Sequence, residues 1–322
     1  MEISENKFLS LVRKFGRKSN RVVRGIGDDG AVVDLDKGQY VLVQDAMVEH
    51  AHFEFSFMDP YFVGKKALYS NISDILAMGA RPEFYLVTTG IPPDVSSQDM
   101  SRLYRGMDTA AREFGMTLLG GDTVSSGTDF FIDISVMGRL AGKKYFGRDR
   151  ARAGDLIAVT GKLGQAAMGL RILQGKGPVR GNKACIDRFL SPKPPFAVWK
   201  ALLKHDITDA MMDISDGLLM DLGRMMTESK KQARIDLDRV PMPRSVRYRG
   251  LERLALSGGE DYQLLFTFPE EKMPAVRELS EKNAGITVMG RVVNGRGIRT
   301  FRNGKEVELP DTTGFDHFGG RS

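Results

Sequence analysis

The chain has 322 residues, 42% hydrophobic and 27% charged, ordinary values for a folded globular protein and length enough for two domains with separate cores. Its net charge of +6 is unevenly held: residues 1–148 carry 18 Lys and Arg against 19 Asp and Glu, and residues 149–322 carry 29 against 22. A single cysteine, Cys185, excludes an internal disulfide and a thiolate metal cluster, and no run of about 18 apolar residues offers a membrane span, so the expectation is a soluble protein of the reducing cytoplasm.

Residues 4–16 predict an amphipathic helix. The basic run Arg13, Lys14, Arg17, Lys18, Arg21 and Arg24 has only Phe15 as an interleaved aromatic, so it reads as a solvated helix face and no nucleic-acid partner is expected. AVVDL and YVLVQDAMV read as strands, with Asp45 near the end of the second. Asp59-Pro60 is an N-cap followed by proline at the first helical position, and that helix should run to Gly79 with Asp74 flanked by Ile72 and Ile75. EFYLVTTGI predicts a strand. Ser96 and Asp99 then open a helix in which Leu103, Met107, Ala110, Ala111 and Phe114 keep helical spacing until Gly115 stops it. A short strand delivers GGDT, FFIDISVMGRL forms another, and the polar AGKKYFGRDRARAGD behind it places a domain boundary near residue 148, dividing the chain into 1–148 and 149–322.

In the second half LIAVTG reads as a strand, GQAAMGLRIL as a helix, PKPP as a break and FAVWKALLK as a helix. DAMMDIS leads into a helix expected to begin near Ser215 or Asp216, with those residues as its caps. DYQLLFTF and ITVMGRVV are strands separated by a helix from Pro269 to about Asn283. Strands alternating with helices in both halves predict a two-domain α/β (α+β) fold. Trp199, His205 and the methionines Met211, Met212, Met220, Met225 and Met226 are assigned to packing or to the surface.

Seven aspartates stand in glycine-bearing or apolar stretches where a carboxylate is costly: Asp28, Asp29, Asp45, Asp74, Asp122, Asp213 and Asp216. Each alone is explained by a cap, a turn or an ion pair. The doublets Asp28-Asp29 and Asp213-x-x-Asp216 set like charges close together, which favours a compensating cation, and hard divalent ions prefer oxygen ligands. The pattern points to a magnesium and phosphate site. Gly25-x-Gly27-x-x-Gly30 matches a dinucleotide fingerprint in spacing only, since its two aspartates would repel a pyrophosphate and a strand-like segment follows where a helix is required. No Walker A sequence occurs. His50-x-His52 lacks a third soft ligand and reads as a substrate contact or surface pair.

GIGDD, the Asp45 strand followed by His52-Phe53, KALYSNISDILAMGA, GGDT, DISDGL, SGGEDYQLLF and GFDHF together resemble the thiamine-monophosphate kinases, within the aminoimidazole ribonucleotide synthetase-like superfamily. The resemblance implies an N-terminal mixed sheet that pairs in a homodimer, a C-terminal α/β domain, and phosphorylation of thiamine monophosphate by ATP. It implies Asp28, Asp45, Asp74, Asp122, Asp213 and Asp216 as magnesium ligands, with Asp74, Asp122 and Asp213 catalytic. Tyr104, Gly121, Arg148 and Ser215 would contact ATP, and His52, Glu260 and Phe315 the thiamine phosphate. The family usually has a hydroxyl residue before the position of Asp45 and often another after it, where this chain has Gln44 and Ala46. Phe315 replaces the usual Trp or Tyr, keeping a stacking face and losing a donor. The alternatives are a selenophosphate synthetase or hydrogenase-maturation type of enzyme, which use a terminal cysteine that mid-chain Cys185 does not match, and a scaffold that binds nucleotide without turnover.

Overall fold

The computed structural model describes residues 11–15, 19–26, 30–283 and 285–308. Of the helix expected over 4–16, only 11–15 fall in this set, and Arg13–Phe15 form a 3-10 turn. The chain divides into two compact units, Met1–Ile75 with Ala80–Ala141, and Leu76–Gly79 with Gly142–Ser322.

In the first unit a two-stranded ribbon, β1 (Val22–Arg24) and β2 (Val32–Val33), precedes β3 (Tyr40–Val48), α1 (Pro60–Ala77), β4 (Ala80–Ile91), α2 (Ser97–Phe114), β5 (Thr117–Ser125) and β6 (Phe131–Leu140). The last four strands order as β3-β6-β4-β5, antiparallel except for β4 with β5, whose parallel pairing is made possible by the α2 crossover. α1 starts where Asp59 Oδ1 accepts the N–H of Tyr61 at 2.9 Å. α2 carries a full capping box, with Ser96 Oγ accepting from the Asp99 N–H and Asp99 Oδ2 accepting from the Ser96 N–H, and Gly115 closes it in the left-handed region at φ 73°.

α1 and α2 cross in close contact through a glycine from each: a Cβ at Gly64 would stand 2.1 Å from the Leu103 carbonyl oxygen, and one at Gly106 1.9 Å from that of Tyr61. α1 also covers one face of the sheet, where a Cβ at Gly138 would meet Ile75 at 2.6 Å. Strand alternation puts Met47, Ile132, Ile134, Val136 and Val87 on that covered face. Leu42, Val48, Leu86 and Val124 project from the opposite face, where they are exposed.

The second unit is built on a seven-stranded sheet. Its elements are β7 (Leu156–Thr160), α3 (Gln165–Leu173), α4 (Lys183–Leu190), α5 (Phe196–Lys204), β8 (Ala210–Asp213), α6 (Leu218–Ser229), β9 (Gln232–Asp236), α7 (Arg244–Arg247), α8 (Arg253–Leu256), β10 (Leu264–Phe268), α9 (Met273–Asn283), β11 (Ile286–Val293), β12 (Gly297–Arg302) and β13 (Lys305–Val307). The strand order is β13-β12-β9-β11-β7-β10-β8, with β12 and β9 the parallel pair. β7, β8 and β10 are buried along their whole length, and Val159, Met212, Ile214, Leu218, Met225 and Leu265 share one core with α3 and α6. Met211 is also buried, Met220 is half-buried, and Trp199 stacks on Phe196 at 5.4 Å, in line with the packing roles expected.

α4 and β9 have no counterpart among the predicted elements. α4 is two turns long, its Asn182 N-cap makes no side-chain bond, and only Cys185 and Phe189 are buried in it. β9 buries only Ala233 and Ile235, too short an alternation to stand out in sequence.

Candidate functional site

β8 ends at Asp213, which is 2% exposed, and the chain turns through Ile214, Ser215, Asp216 and Gly217 before α6 begins at Leu218. The expected caps are therefore corrected. The helix starts later than Ser215 or Asp216, its N-cap is Gly217, and no side chain caps it. Gly217 adopts φ 120°, and a Cβ there would lie 2.8 Å from the Ser257 backbone, so a side chain is excluded by conformation and by space. In place of a cap, Asp221 reaches back from the first turn of α6: its Oδ2 accepts the N–H groups of Ser215, Asp216 and Gly217, each at 3.1 Å.

Asp221 is fully buried, and burial, with Asp213 and Asp216 nearby, pushes its carboxyl up to about 7 against the pull of the loop N–H and of Arg224. Arg224 ties the group together, its Nη1 donating to Asp221 Oδ1 at 2.9 Å and to Asp216 Oδ2 at 2.5 Å.

A second stretch, Ser257 to Gln263, is laid directly on this loop. Ile214 N–H donates to the Gln263 carbonyl at 2.8 Å, Tyr262 N–H to that of Ile214 at 2.9 Å, and Glu260 N–H to that of Ser215 at 2.7 Å. Glu260 and Tyr262 hold positive φ, 68° and 46°, a costly conformation for residues with side chains and one that clusters at functional sites. Two motifs more than forty positions apart are thus joined backbone to backbone, and Glu260 stands beside Ser215. Asp261, fully buried, accepts from Gly164 N–H at 2.5 Å and Ala166 N–H at 2.9 Å; burial raises its carboxyl to about 7 against those bonds and Arg188. Asp221 and Asp261 escaped the sequence reading. Asp221 has the look of a helix-surface acid, and Asp261 is masked by its neighbour Glu260, although an acid beside Gly-Gly and a strand was a usable signal.

Arg148 lies at the other end of α6. Ser229, the last residue of that helix, donates its hydroxyl to the Arg148 carbonyl at 2.7 Å and accepts from Ala151 N–H at 3.0 Å. The Arg148 backbone and the Asp213–Gly217 loop are therefore separated by a helix of 12 residues, about 18 Å.

In the first unit the acids fall on two faces. Asp45 pairs with Ile134 in the β3–β6 ladder and so points to the helix-covered face, where Asp74 sits on α1 next to Ile75; both are half-buried. Asp122 and Asp133 both pair with Thr88 and so share the opposite face, Asp122 exposed with Oδ1 accepting from the Thr123 N–H. Gln44 projects from that second face too, its amide donating to Asp133 Oδ2 at 2.5 Å, away from Asp45. Gly121 lies opposite Val87, whose carbonyl oxygen would be 1.7 Å from any Cβ added there.

His52 is half-buried, its Nδ1 accepting from the Val48 N–H at 3.1 Å, and is anchored by Phe53 in a cluster with Phe55 and Phe130. Tyr104 is buried on α2 and packs on Phe15, its phenol pushed well above the usual range by burial. Asp28, Asp29 and Phe315 lie outside the described residues.

Whether the acids fit a hard cation is decided by their chemistry. The donors are carboxylate oxygens throughout, and Asp213, Asp216 and Asp221 crowd like charge that a cation would relieve. Among the described residues no group of three or more His, Cys, Asp and Glu is placed to hold an ion alone.

Two α/β units carrying these loops define the class: the chain belongs to the AIR synthase related proteins, whose N-terminal domain matches residues 27–140 and whose C-terminal domain matches residues 152–303. Within that class it is a member of the thiamine-monophosphate kinase family. It is 34% identical over 304 residues to the thiamine-monophosphate kinase of Haemophilus influenzae, covering 91% of each chain, and 34% identical over 325 residues to that of Escherichia coli K12, covering 97% of this chain and 98% of the relative. The solved structure of thiamine-monophosphate kinase from Stenotrophomonas maltophilia K279a superposes with a TM-score of 0.83 at 29% identity, over 95% of this chain and 99% of that one. The structure described as AaThiL complexed with AMPPCP and TMP gives a TM-score of 0.76 at 31% identity over 99% of both chains. The hydrogenase maturation protein HypE of E. coli, at 18% identity and a TM-score of 0.80, shares the fold.

Proposed function

We propose that this chain transfers the terminal phosphoryl group of ATP directly to the phosphate of thiamine monophosphate, giving thiamine diphosphate and ADP. The single observation that carries the reading is the backbone junction of the Asp213–Gly217 loop with the Ser257–Gln263 stretch, which sets Asp213, Ser215, Asp216 and Glu260 side by side in a member of the thiamine-monophosphate kinase family. A relative over 99% of the chain is described in complex with AMPPCP and TMP, which supports ATP and thiamine monophosphate as the pair of substrates.

The acceptor is a phosphate monoester whose second pKa is about 6, so at neutral pH it is already deprotonated and needs no general base. What it needs is screening of charge between two anions and alignment of acceptor and leaving oxygens. Magnesium, when bound, would supply that screening by neutralising phosphate charge. Asp28, Asp45, Asp74, Asp122, Asp213 and Asp216 are the residues that would hold it, though not around one ion, since strand register sets Asp45 and Asp122 on opposite faces of the same sheet; Asp74, Asp122 and Asp213 are the ones assigned to the chemistry.

Ser215, Gly121, Arg148 and Tyr104 would receive the nucleotide, Gly121 by leaving the strand surface open beside Val87. Glu260, His52 and Phe315 would receive thiamine monophosphate, Glu260 held by its left-handed backbone and its bond to Ser215. Cys185 is buried with its thiol raised by burial, which argues against a reaction that uses a reactive cysteine. Among the described residues no helix is long and apolar enough to cross a membrane, and we place the protein in the cytoplasm, where ATP is available.

The test is incubation of the purified protein with ATP, magnesium and thiamine monophosphate. Stoichiometric ADP and thiamine diphosphate are expected, with turnover lost on chelation by EDTA. Nucleotide binding without product would overturn the proposal in favour of a scaffold.

A further inference from the structure

The N–H groups of Ser215, Asp216 and Gly217 converge on one point, as in the backbone nests that bind phosphate in other nucleotide enzymes. Here the point is occupied from inside the protein by Asp221 Oδ2, on a side chain with no exposure to solvent. Its other oxygen is held by Arg224, whose same Nη1 also holds Asp216. Three consequences follow from this geometry. The three N–H donors are spent on Asp221 and are not offered to a ligand. The loop can then present oxygens, those of the Asp213, Ser215 and Asp216 side chains and of its backbone carbonyls, but not these three N–H groups. And the direction of Asp216 is set by a guanidinium fixed on the next turn of the same helix.

We propose that Asp221 is a positioning residue for the nucleotide and cation loop, an internal carboxyl group that fills the loop's nest and, with Arg224, holds the Asp213, Ser215 and Asp216 side chains ready for a cation-bound phosphate. It touches neither substrate, and acts through the backbone of 215–217 and through Asp216. The inference rests on the reading of this loop as the site of magnesium-bound nucleotide. It adds that the loop's shape is built before any ligand arrives, by a carboxylate that no ligand contacts.

Two readouts test it in the full-length protein. The first is amide hydrogen exchange at residues 215–217 without ligand. The second is the magnesium concentration giving half-maximal turnover, measured with the KM for thiamine monophosphate and thermal unfolding alongside. Asp221→Ala is expected to speed exchange at these amides by about tenfold or more and to raise half-saturating magnesium by roughly tenfold, the loss of one buried acceptor serving several donors. The KM for thiamine monophosphate should rise less than half-saturating magnesium does, because Glu260 loses only the part of its support that comes from Ser215.

Asp221→Asn keeps an acceptor oxygen for the three N–H groups but sets an NH2 against Arg224, so exchange at 215–217 should stay near wild type while half-saturating magnesium still rises several-fold, and an unchanged magnesium dependence in this variant overturns the proposal if Asp221→Ala does not fold. A folded Asp221→Ala with wild-type exchange at 215–217, or with fast exchange and unchanged magnesium dependence, would overturn the proposal. Asp213→Asn separates the two levels of the argument. If it leaves magnesium dependence unchanged, the reading of the loop itself falls; if it shifts that dependence while Asp221→Ala does not, only the positioning role falls.

Discussion

Asp261 spends both carboxylate oxygens on backbone N–H groups at the start of α3, yet it lies fully buried, and its carboxyl is raised to about 7 with burial as the main cause. Its folded value thus lies above its unfolded one, so the stability it contributes is complete below about pH 4 and is lost as pH rises through about 7. Urea unfolding of wild type and Asp261→Asn across pH 4–8 should show the wild type losing more stability over that window than the variant, whose side chain does not titrate. At Asp74 the expectation concerns activity: Asp74→Asn is nearly isosteric on a helix otherwise buried around it, so the melting temperature should hold while turnover falls by about a hundredfold or more, measured as thiamine diphosphate formed. Asp74 and Asp213 are legible in sequence because each stands among Ile and Met, where a carboxylate is out of place. Asp221 is not legible, because a helix-surface acid and an acid that turns inward to hold a loop leave the same letter in the chain.

The elements that announced themselves are those closed by local chemistry. α2 is bounded by the Ser96–Asp99 capping box and by Gly115, all of which act within a few residues. Ser96→Ala removes the acceptor for the Asp99 N–H and should cost about 1 kcal/mol in denaturant unfolding. α4 and β9 carried no such marks. They exist because tertiary contacts cover Cys185, Phe189, Ala233 and Ile235, and a two-turn helix or five-residue strand has too little local preference to declare itself. The start of α6 was misplaced for a related reason: Ser215 and Asp216 have the composition of caps, and the structure gives their N–H groups to Asp221 instead.

For the molecule as a whole, one face of the first unit's sheet carries exposed apolar side chains among the described residues. Leu42 at 74% exposure, Leu86 at 42% and Val124 at 41% lie on it together with Val48. We propose that a second copy covers this face, as the family resemblance implies for the N-terminal sheet. Sedimentation of the wild type should then give a dimer and Leu42→Arg a monomer, since a buried guanidinium without a partner would oppose association. A wild type that sediments as a monomer at micromolar concentration would refute the pairing.

From its letters alone the chain declares two α/β units, most of their longer elements and a set of aspartates suited to hard cations, because periodicity, caps and ill-placed carboxylates are written locally. Which acids share a face, and which carboxylate turns inward, was decided only by tertiary structure. Strand register separates Asp45 from Asp122, and the docking of residues 257–263 on the 213–217 loop brings Glu260 to Ser215. Both depend on pairings between segments tens of residues apart, where the energy lies in backbone hydrogen bonds that any sequence can make.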